Sequence, residues 1–296
     1  MDLPVTVIGG YLGAGKTTLV NQLLRGADGV RYAVLVNEFG DLPIDADLIE
    51  AEGDGLISIS GGCVCCAFGS DLIGALEDMV AMNDRLDHVL IEASGVALPA
   101  SVATTVSLIH GLRADSVLVL ADADQIEANA ASPYLADTID RQLAQADLVI
   151  LTKSDLVSPK GLERVTTWLR GKAPGTRIVQ VTRGEVSAAA ILGVLPLPKQ
   201  GRATGADAHG LFNSVVLAPE GQVDAVAFAK TLAEEPGITR AKGFVRTAEG
   251  MALIHVVGHR SDVEPATRDH PVGVVCIGLK ADFDGAKVRA LLPCTA

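Results

Sequence analysis

The sequence predicts an α/β fold: a mostly parallel β-sheet flanked by helices, followed by a small C-terminal α+β domain. Three observations predict it. Short apolar runs alternate with helix-period segments through the first two-thirds of the chain, the pattern of β-α repeats. Apolar residues make up 49% of the 296 and aromatics only 3%, so the core must be built from Ala, Val, Leu and Ile, as in strands buried on both faces. A stretch rich in Gly, Pro and polar residues, Leu195 to Gly210, then breaks the pattern and reads as a linker.

The elements follow in order. Val5 to Ile8 is a strand, and a helix opens at Thr17 and runs to Arg25. Tyr32 to Val36, Leu56 to Ile59, His88 to Ile91, Ser116 to Leu120, Leu148 to Leu151 and Arg177 to Val181 are short apolar strands. Helical patterns lie near Asp71 to Met82, Tyr134 to Gln145 and Gly161 to Arg170. Beyond the linker come a strand (Leu211 to Leu217), a helix (Val223 to Ala233) and a strand ending near Arg246. Two more strands (Met251 to Val257 and Val272 to Ile277) and a final helix (Phe283 to Leu292) complete the chain. The expected division is residues 1–195, a linker at 196–209, and a second domain at 210–296. No internal repeat or low-complexity tract is present.

The first strand leads into Gly9-Gly10-Tyr11-Leu12-Gly13-Ala14-Gly15-Lys16-Thr17-Thr18, which satisfies G-x-x-x-x-G-K-[ST] from Gly10 to Thr17. Such a loop curls so that successive backbone N–H groups face phosphate oxygens, and the helix that follows adds its positive end. Lys16 is expected on the β- and γ-phosphates and the Thr17 hydroxyl on Mg²⁺. The fold class is therefore a P-loop NTPase.

Two later segments complete a nucleotide site. Thr152-Lys153-Ser154-Asp155 follows a buried strand, where guanine-reading loops carry N-K-x-D. Asp155 would accept two hydrogen bonds from the guanine edge, and the Lys153 stem would lie along the base. Thr152 stands in place of the usual Asn. One lost hydrogen bond costs about 0.5–1.5 kcal/mol net, so guanine preference should survive on Asp155. In His88-Val89-Leu90-Ile91-Glu92-Ala93-Ser94-Gly95 an apolar strand ends in an acid. Glu92 can hold Mg²⁺ through water or orient the attacking water, and the Gly95 N–H can meet the γ-phosphate. Asn37 to Asp45, with two acids, Gly40 and Pro43 in a loop, lies where a γ-phosphate switch would sit.

Gly61-Gly62-Cys63-Val64-Cys65-Cys66 carries three of the five cysteines. Three clustered thiolates suit Zn²⁺ or Cu⁺, with a fourth ligand or an open position. An incomplete shell suits a site that hands metal on. The alternative is a reversible disulfide within the loop; a cytosolic chain rarely keeps a structural disulfide, which favours metal. Cys276, in Val-Val-Cys-Ile, reads as a buried strand thiol.

Composition excludes several classes. A net charge of −12 repels phosphate backbones and disfavours broad nucleic-acid binding. No apolar run approaches the ~20 residues that span a bilayer. Met1-Asp2-Leu3-Pro4 enters a strand without the basic segment of a signal peptide. The cytoplasm is the expected compartment.

GGYLGAGKTT, NEFGDLPID, GGCVCC, EASG and TKSD occur in the order seen in the CobW-type GTPases, which the chain resembles. These are similar in their nucleotide domain to the urease and hydrogenase nickel-insertion GTPases. The resemblance extends through QLAQADLVILTKSDL, Val181 to Glu185, His209-Gly210-Leu211 and Arg240-Ala241-Lys242-Gly243-Phe244, and so covers essentially the whole chain. It implies GTP and GDP binding, GTP hydrolysis, and delivery of Zn²⁺, Co²⁺ or another transition metal to a client metalloprotein. The alternatives are GTP-dependent activation of a metalloenzyme and a redox-responsive nucleotide-binding module. By the resemblance, Gly13, Ala14, Gly15, Lys16, Thr17 and Thr18 hold phosphates and Mg²⁺, and Thr152, Lys153 and Asp155 face guanine. Cys63, Cys65 and Cys66 hold metal, and Glu38 touches the metal or Mg²⁺. The expected partners are GTP, a client, and a second copy in a homodimer; nucleic acid and membrane are not expected.

Overall fold

The computed structural model describes residues 2–26, 30–36, 57–59, 70–182, 188–192, 212–266 and 270–293. The chain divides into two compact units, Asp2–Glu185 and Val186–Ala296.

The first unit is built on a seven-stranded sheet. In chain order its strands are β1 (Leu3–Gly10), β2 (Tyr32–Val36), β3 (Ile57–Ile59), β4 (His88–Glu92), β5 (Leu112–Asp122), β6 (Leu148–Thr152) and β7 (Arg177–Gln180). Their spatial order is β3-β2-β4-β1-β5-β6-β7, and every pairing is parallel. The helices are α1 (Lys16–Arg25), α2 (Ser70–Ala81), α3 (Pro99–Ser107), α4 (Ile126–Ala130), α5 (Ala136–Ala144) and α6 (Pro159–Lys172). The central strands are buried along their whole length, so they read as apolar runs and not as alternating ones. One polar row interrupts them: Thr6 Oγ1 lies 2.9 Å from His88 Nε2 and 3.1 Å from Ser116 Oγ.

Helix boundaries follow local chemistry. On α1, Leu19, Val20 and Leu23 form the buried stripe and Gly26 ends the helix. Pro159 stands at the start of α6, where Ser158 accepts the Gly161 N–H at 3.2 Å. The helix expected over Tyr134 to Gln145 starts only at Ala136, and the short α4 precedes it. Helix α3, rich in Ala, Thr and Val, was not expected from periodicity.

The second unit has its own sheet, with spatial order β11-β10-β9-β12-β8 and antiparallel pairing throughout. It comprises α7 (Ala188–Leu192), β8 (Phe212–Leu217), α8 (Ala225–Glu234), β9 (Arg240–Thr247), β10 (Gly250–Val257), β11 (Arg260–Pro265), β12 (Gly273–Leu279) and α9 (Gly285–Arg289). Helix α8 lays Phe228, Ala229 and Leu232 on Ala241, Val245, Ile254 and Cys276 of the sheet. Arg240 is 1% exposed, and its guanidinium donates to the carbonyl of Ile191 on α7. The final helix, expected over Phe283 to Leu292, is confined to Gly285–Arg289. Asp284 caps its start by accepting the N–H groups of Ala286 and Lys287. The linker expected at 196–209 lies outside the described residues.

Candidate functional site

Strands β1, β4, β5 and β6 end side by side at Gly10, Glu92, Asp122 and Thr152. The carboxyl edge of a parallel sheet is where α/β proteins bind ligands, and the phosphate loop leaves from the centre of this one.

The loop's course depends on Gly10. Its φ is +127°, and a Cβ there would lie 2.4 Å from the Leu120 carbonyl oxygen, so only glycine lets β1 turn this close to β5. Gly13 and Gly15 continue the curl with φ of +75° and +93°, and Gly15 caps α1. Lys16 is buried under the loop, its Nζ donating to the carbonyls of Gly10 at 3.1 Å and Tyr11 at 3.5 Å. The ammonium therefore spans the loop interior where phosphate charge would collect.

Thr17, on the first turn of α1, donates its hydroxyl to Glu92 Oε1 at 2.9 Å. This brings together two residues expected on Mg²⁺ from separate parts of the sequence. A hydroxyl and a carboxylate oxygen are the hard donors that Mg²⁺ prefers, so the pair fits that ion. Beyond Glu92 the chain folds back onto the phosphate loop. A Cβ on Gly95 would lie 2.7 Å from the Leu12 backbone nitrogen, so the segment 93–98 packs directly against the loop.

At the end of β6, Thr152 donates its hydroxyl to the Ala14 carbonyl at 2.8 Å and the Ala121 carbonyl at 3.2 Å. Thr152, which stands where guanine-reading loops usually carry Asn, thus ties the phosphate loop to the end of β6. Lys153 has φ +54°, a left-handed conformation that side-chain-bearing residues seldom adopt. Its side chain reaches Asp122, whose Oδ2 accepts its Nζ at 2.6 Å. Asp122 Oδ1 also accepts the Asp124 N–H at 2.9 Å, which fixes the carboxylate. Ser154 is 3.1 Å from both the Val181 carbonyl and the Thr182 hydroxyl, joining the end of β7 to this loop. Asp155 is exposed beside them.

The structure therefore brings Gly10, Gly13, Ala14, Gly15, Lys16, Thr17, Glu92, Gly95, Thr152, Lys153 and Asp155 to one edge of the sheet, with Thr18 on the first turn of α1. Glu38, Cys63, Cys65 and Cys66 lie outside the described residues. Among the described residues no cluster of three or more His, Cys, Asp or Glu side chains could hold a metal, and no helix is long and apolar enough to cross a membrane. Asp122, Ser154 and Gln142 contribute to the site without having been singled out by sequence. Cys276 is fully buried, and burial pushes its thiol up to about 12.

A parallel sheet, a phosphate loop on its central strand, a Thr–carboxylate pair and a T-K-x-D loop together define a P-loop nucleotide-binding protein. Residues 4–180 match the model of the CobW/HypB/UreG nucleotide-binding domain, and residues 212–294 match the cobalamin synthesis protein cobW C-terminal domain. The chain belongs to the CobW/HypB/UreG family. It is 30% identical to the zinc chaperone CobW of a Sinorhizobium species over 98% of this chain and 96% of that one. It is 32% identical to the zinc-regulated GTPase metalloprotein activator 1 of Schizosaccharomyces pombe over 62% of this chain and 47% of the relative. A zinc-bound triple mutant of the YjiA GTPase shares the fold with a TM-score of 0.50 over 98% of both chains at 22% identity.

Proposed function

We propose that the protein binds and hydrolyses GTP and couples that cycle to carrying a transition metal, zinc first among the candidates, to a client metalloprotein. The observation that carries this is the meeting of the phosphate loop, Glu92 and the Thr152–Asp155 loop at one sheet edge. The zinc assignment draws on the names of relatives and on the Cys63-Val64-Cys65-Cys66 sequence.

In this reading the loop N–H groups and Lys16 hold the β- and γ-phosphates and offset the charge that develops on transfer. Thr17 and Glu92 hold Mg²⁺, which supplies further charge neutralisation when bound. The Gly95 N–H meets the γ-phosphate. Asp155 reads the guanine edge, with Lys153 laid along the base by Asp122. Thr152 keeps the phosphate and base halves of the site in register. Cys63, Cys65 and Cys66 hold the cargo metal. They lie in sequence between the Asn37 to Asp45 segment and Glu92, so γ-phosphate contacts on either side would reposition them.

The test is a competition titration with a chromophoric Zn²⁺ chelator, in GDP and in a non-hydrolysable GTP analogue. An affinity difference of about 5–150-fold between nucleotides is expected, as for typical coupled sites. Cys65→Ala should abolish it. Equal zinc affinities in both nucleotides would refute the coupling. A variant that binds zinc as the wild type does would remove the cysteine loop from the site.

A further inference from the structure

Helix α5 carries a side chain that the nucleotide chemistry above does not use. Gln142 is 1% exposed. Its carboxamide nitrogen donates to the Gly95 carbonyl at 3.2 Å and to the Ala97 carbonyl at 2.7 Å. Both N–H donors of one amide are thus spent on a single loop, the one that leaves Glu92 and packs on Leu12 of the phosphate loop.

We propose that Gln142 is a positioning residue that latches the 93–98 segment in the form that recognises a nucleoside triphosphate. The geometry has a directional consequence. In a trans peptide the carbonyl and the N–H point in opposite directions. Anchoring the Gly95 carbonyl on α5 therefore turns the Val96 N–H away from α5. It also fixes the plane next to the one that carries the Gly95 N–H. A loop anchored at two carbonyls loses the freedom to swing that an unanchored Gly-containing segment keeps.

The position of the latch in the chain adds a second role. Gln142 lies two residues before the end of α5, and β6 follows and ends at the base-reading Thr152. One side chain thus joins the element leading to the base loop with the segment beside the γ-phosphate position. Releasing the segment breaks two hydrogen bonds to one side chain, one buried and one part-buried. Such a contact favours two discrete arrangements over a continuous range, which is what a nucleotide-dependent switch needs.

The inference rests on the proposed role of Gly95, and its test separates the two. Wild type, Gln142→Leu, Gln142→Glu and Gly95→Ala are compared by fluorescence titration with labelled GDP and a labelled non-hydrolysable GTP analogue, each with Mg²⁺. Thermal midpoints are recorded alongside. Leu removes both donors, whereas Glu keeps the shape and turns an acceptor toward two carbonyls. For both Gln142 variants the expected result is GDP affinity within about twofold of wild type, and GTP-analogue affinity reduced about tenfold or more. KM for GTP should rise in step with the weakened triphosphate affinity. Parallel loss of both nucleotides in step with a lowered midpoint would make Gln142 a packing residue and overturn the latch. Full discrimination in both Gln142 variants, with discrimination lost in Gly95→Ala, would overturn the latch alone. Full discrimination in all three would overturn the γ-phosphate role of the segment as well.

Discussion

The ion pair between Asp122 and Lys153 invites the sharpest perturbation. Asp122→Asn keeps the side-chain shape and retains an acceptor for the Asp124 N–H, so the turn after β5 should survive. It removes the charge that holds the Lys153 ammonium at 2.6 Å. Two unit charges at that distance interact by about 6 kcal/mol gross at an effective dielectric of about 20. Most of that is returned, because the Lys153 side chain is 39% exposed and water solvates the freed ammonium. Hydrogen bonds to charged groups are worth about 1.5–3 kcal/mol when well shielded, so a net about 1–2 kcal/mol is expected here. If the pair exists to lay the lysine stem along the base, this energy becomes a cost of nucleotide binding. GDP affinity should then fall about 5–30-fold. The assay is titration with labelled GDP, with inorganic pyrophosphate as a competitor that has no base. Pyrophosphate should compete equally in wild type and variant. Unchanged GDP affinity, or equal losses for GDP and pyrophosphate, would refute the base-positioning role of Asp122.

Three further outcomes follow from the geometry. Thr152→Val removes the one hydroxyl hydrogen shared between the Ala14 and Ala121 carbonyls, so urea denaturation should show a loss of about 1–3 kcal/mol, with Thr152→Ser recovering most of it. Asp87 accepts the Arg31 side chain and backbone N–H, and the hydrogen bond from the guanidinium holds its carboxyl below the usual carboxylate range. Its contribution is therefore present above the unfolded-state value near ~4 and fades as pH falls through the lower folded-state value. Melting curves of Asp87→Asn and wild type should differ slightly at neutral pH and converge in strong acid; a gap that widens toward low pH would contradict this. Alkylation at pH 8 followed by peptide mass spectrometry should leave Cys276 unmodified in the native protein and label it in denaturant, because burial keeps the thiol protonated.

The legible parts of the site are those a local motif carries. The phosphate loop, the acid at the end of β4 and the T-K-x-D loop each sit within a few residues of a strand end, and strand ends of a parallel sheet converge by construction. Asp122 was not legible because an acid after an apolar strand is also what an ordinary turn looks like; only the pairing of β5 with β6 brings it to Lys153. Gln142 stood out still less. A glutamine on a helix with polar neighbours reads as surface, and its burial comes from a loop more than forty residues earlier in sequence. In the fold, β11 was missed because Arg260-Ser261-Asp262-Val263-Glu264-Pro265 is a polar edge strand, paired on one side only with β10. Metal binding is read from Cys63, Cys65 and Cys66 in the sequence alone.

The burial of Arg240 bears on how the protein could be taken apart. A guanidinium that is almost wholly removed from water is costly to strip of an acceptor. One of its acceptors, the Ile191 carbonyl, lies twenty residues or more upstream of the stretch that matches the C-terminal family model. A fragment begun at Phe212 would carry the complete antiparallel sheet and yet lack that acceptor, whereas one begun at Val186 would keep it. The start of a fragment therefore bears on an acceptor of this buried cation as well as on the ends of the sheet.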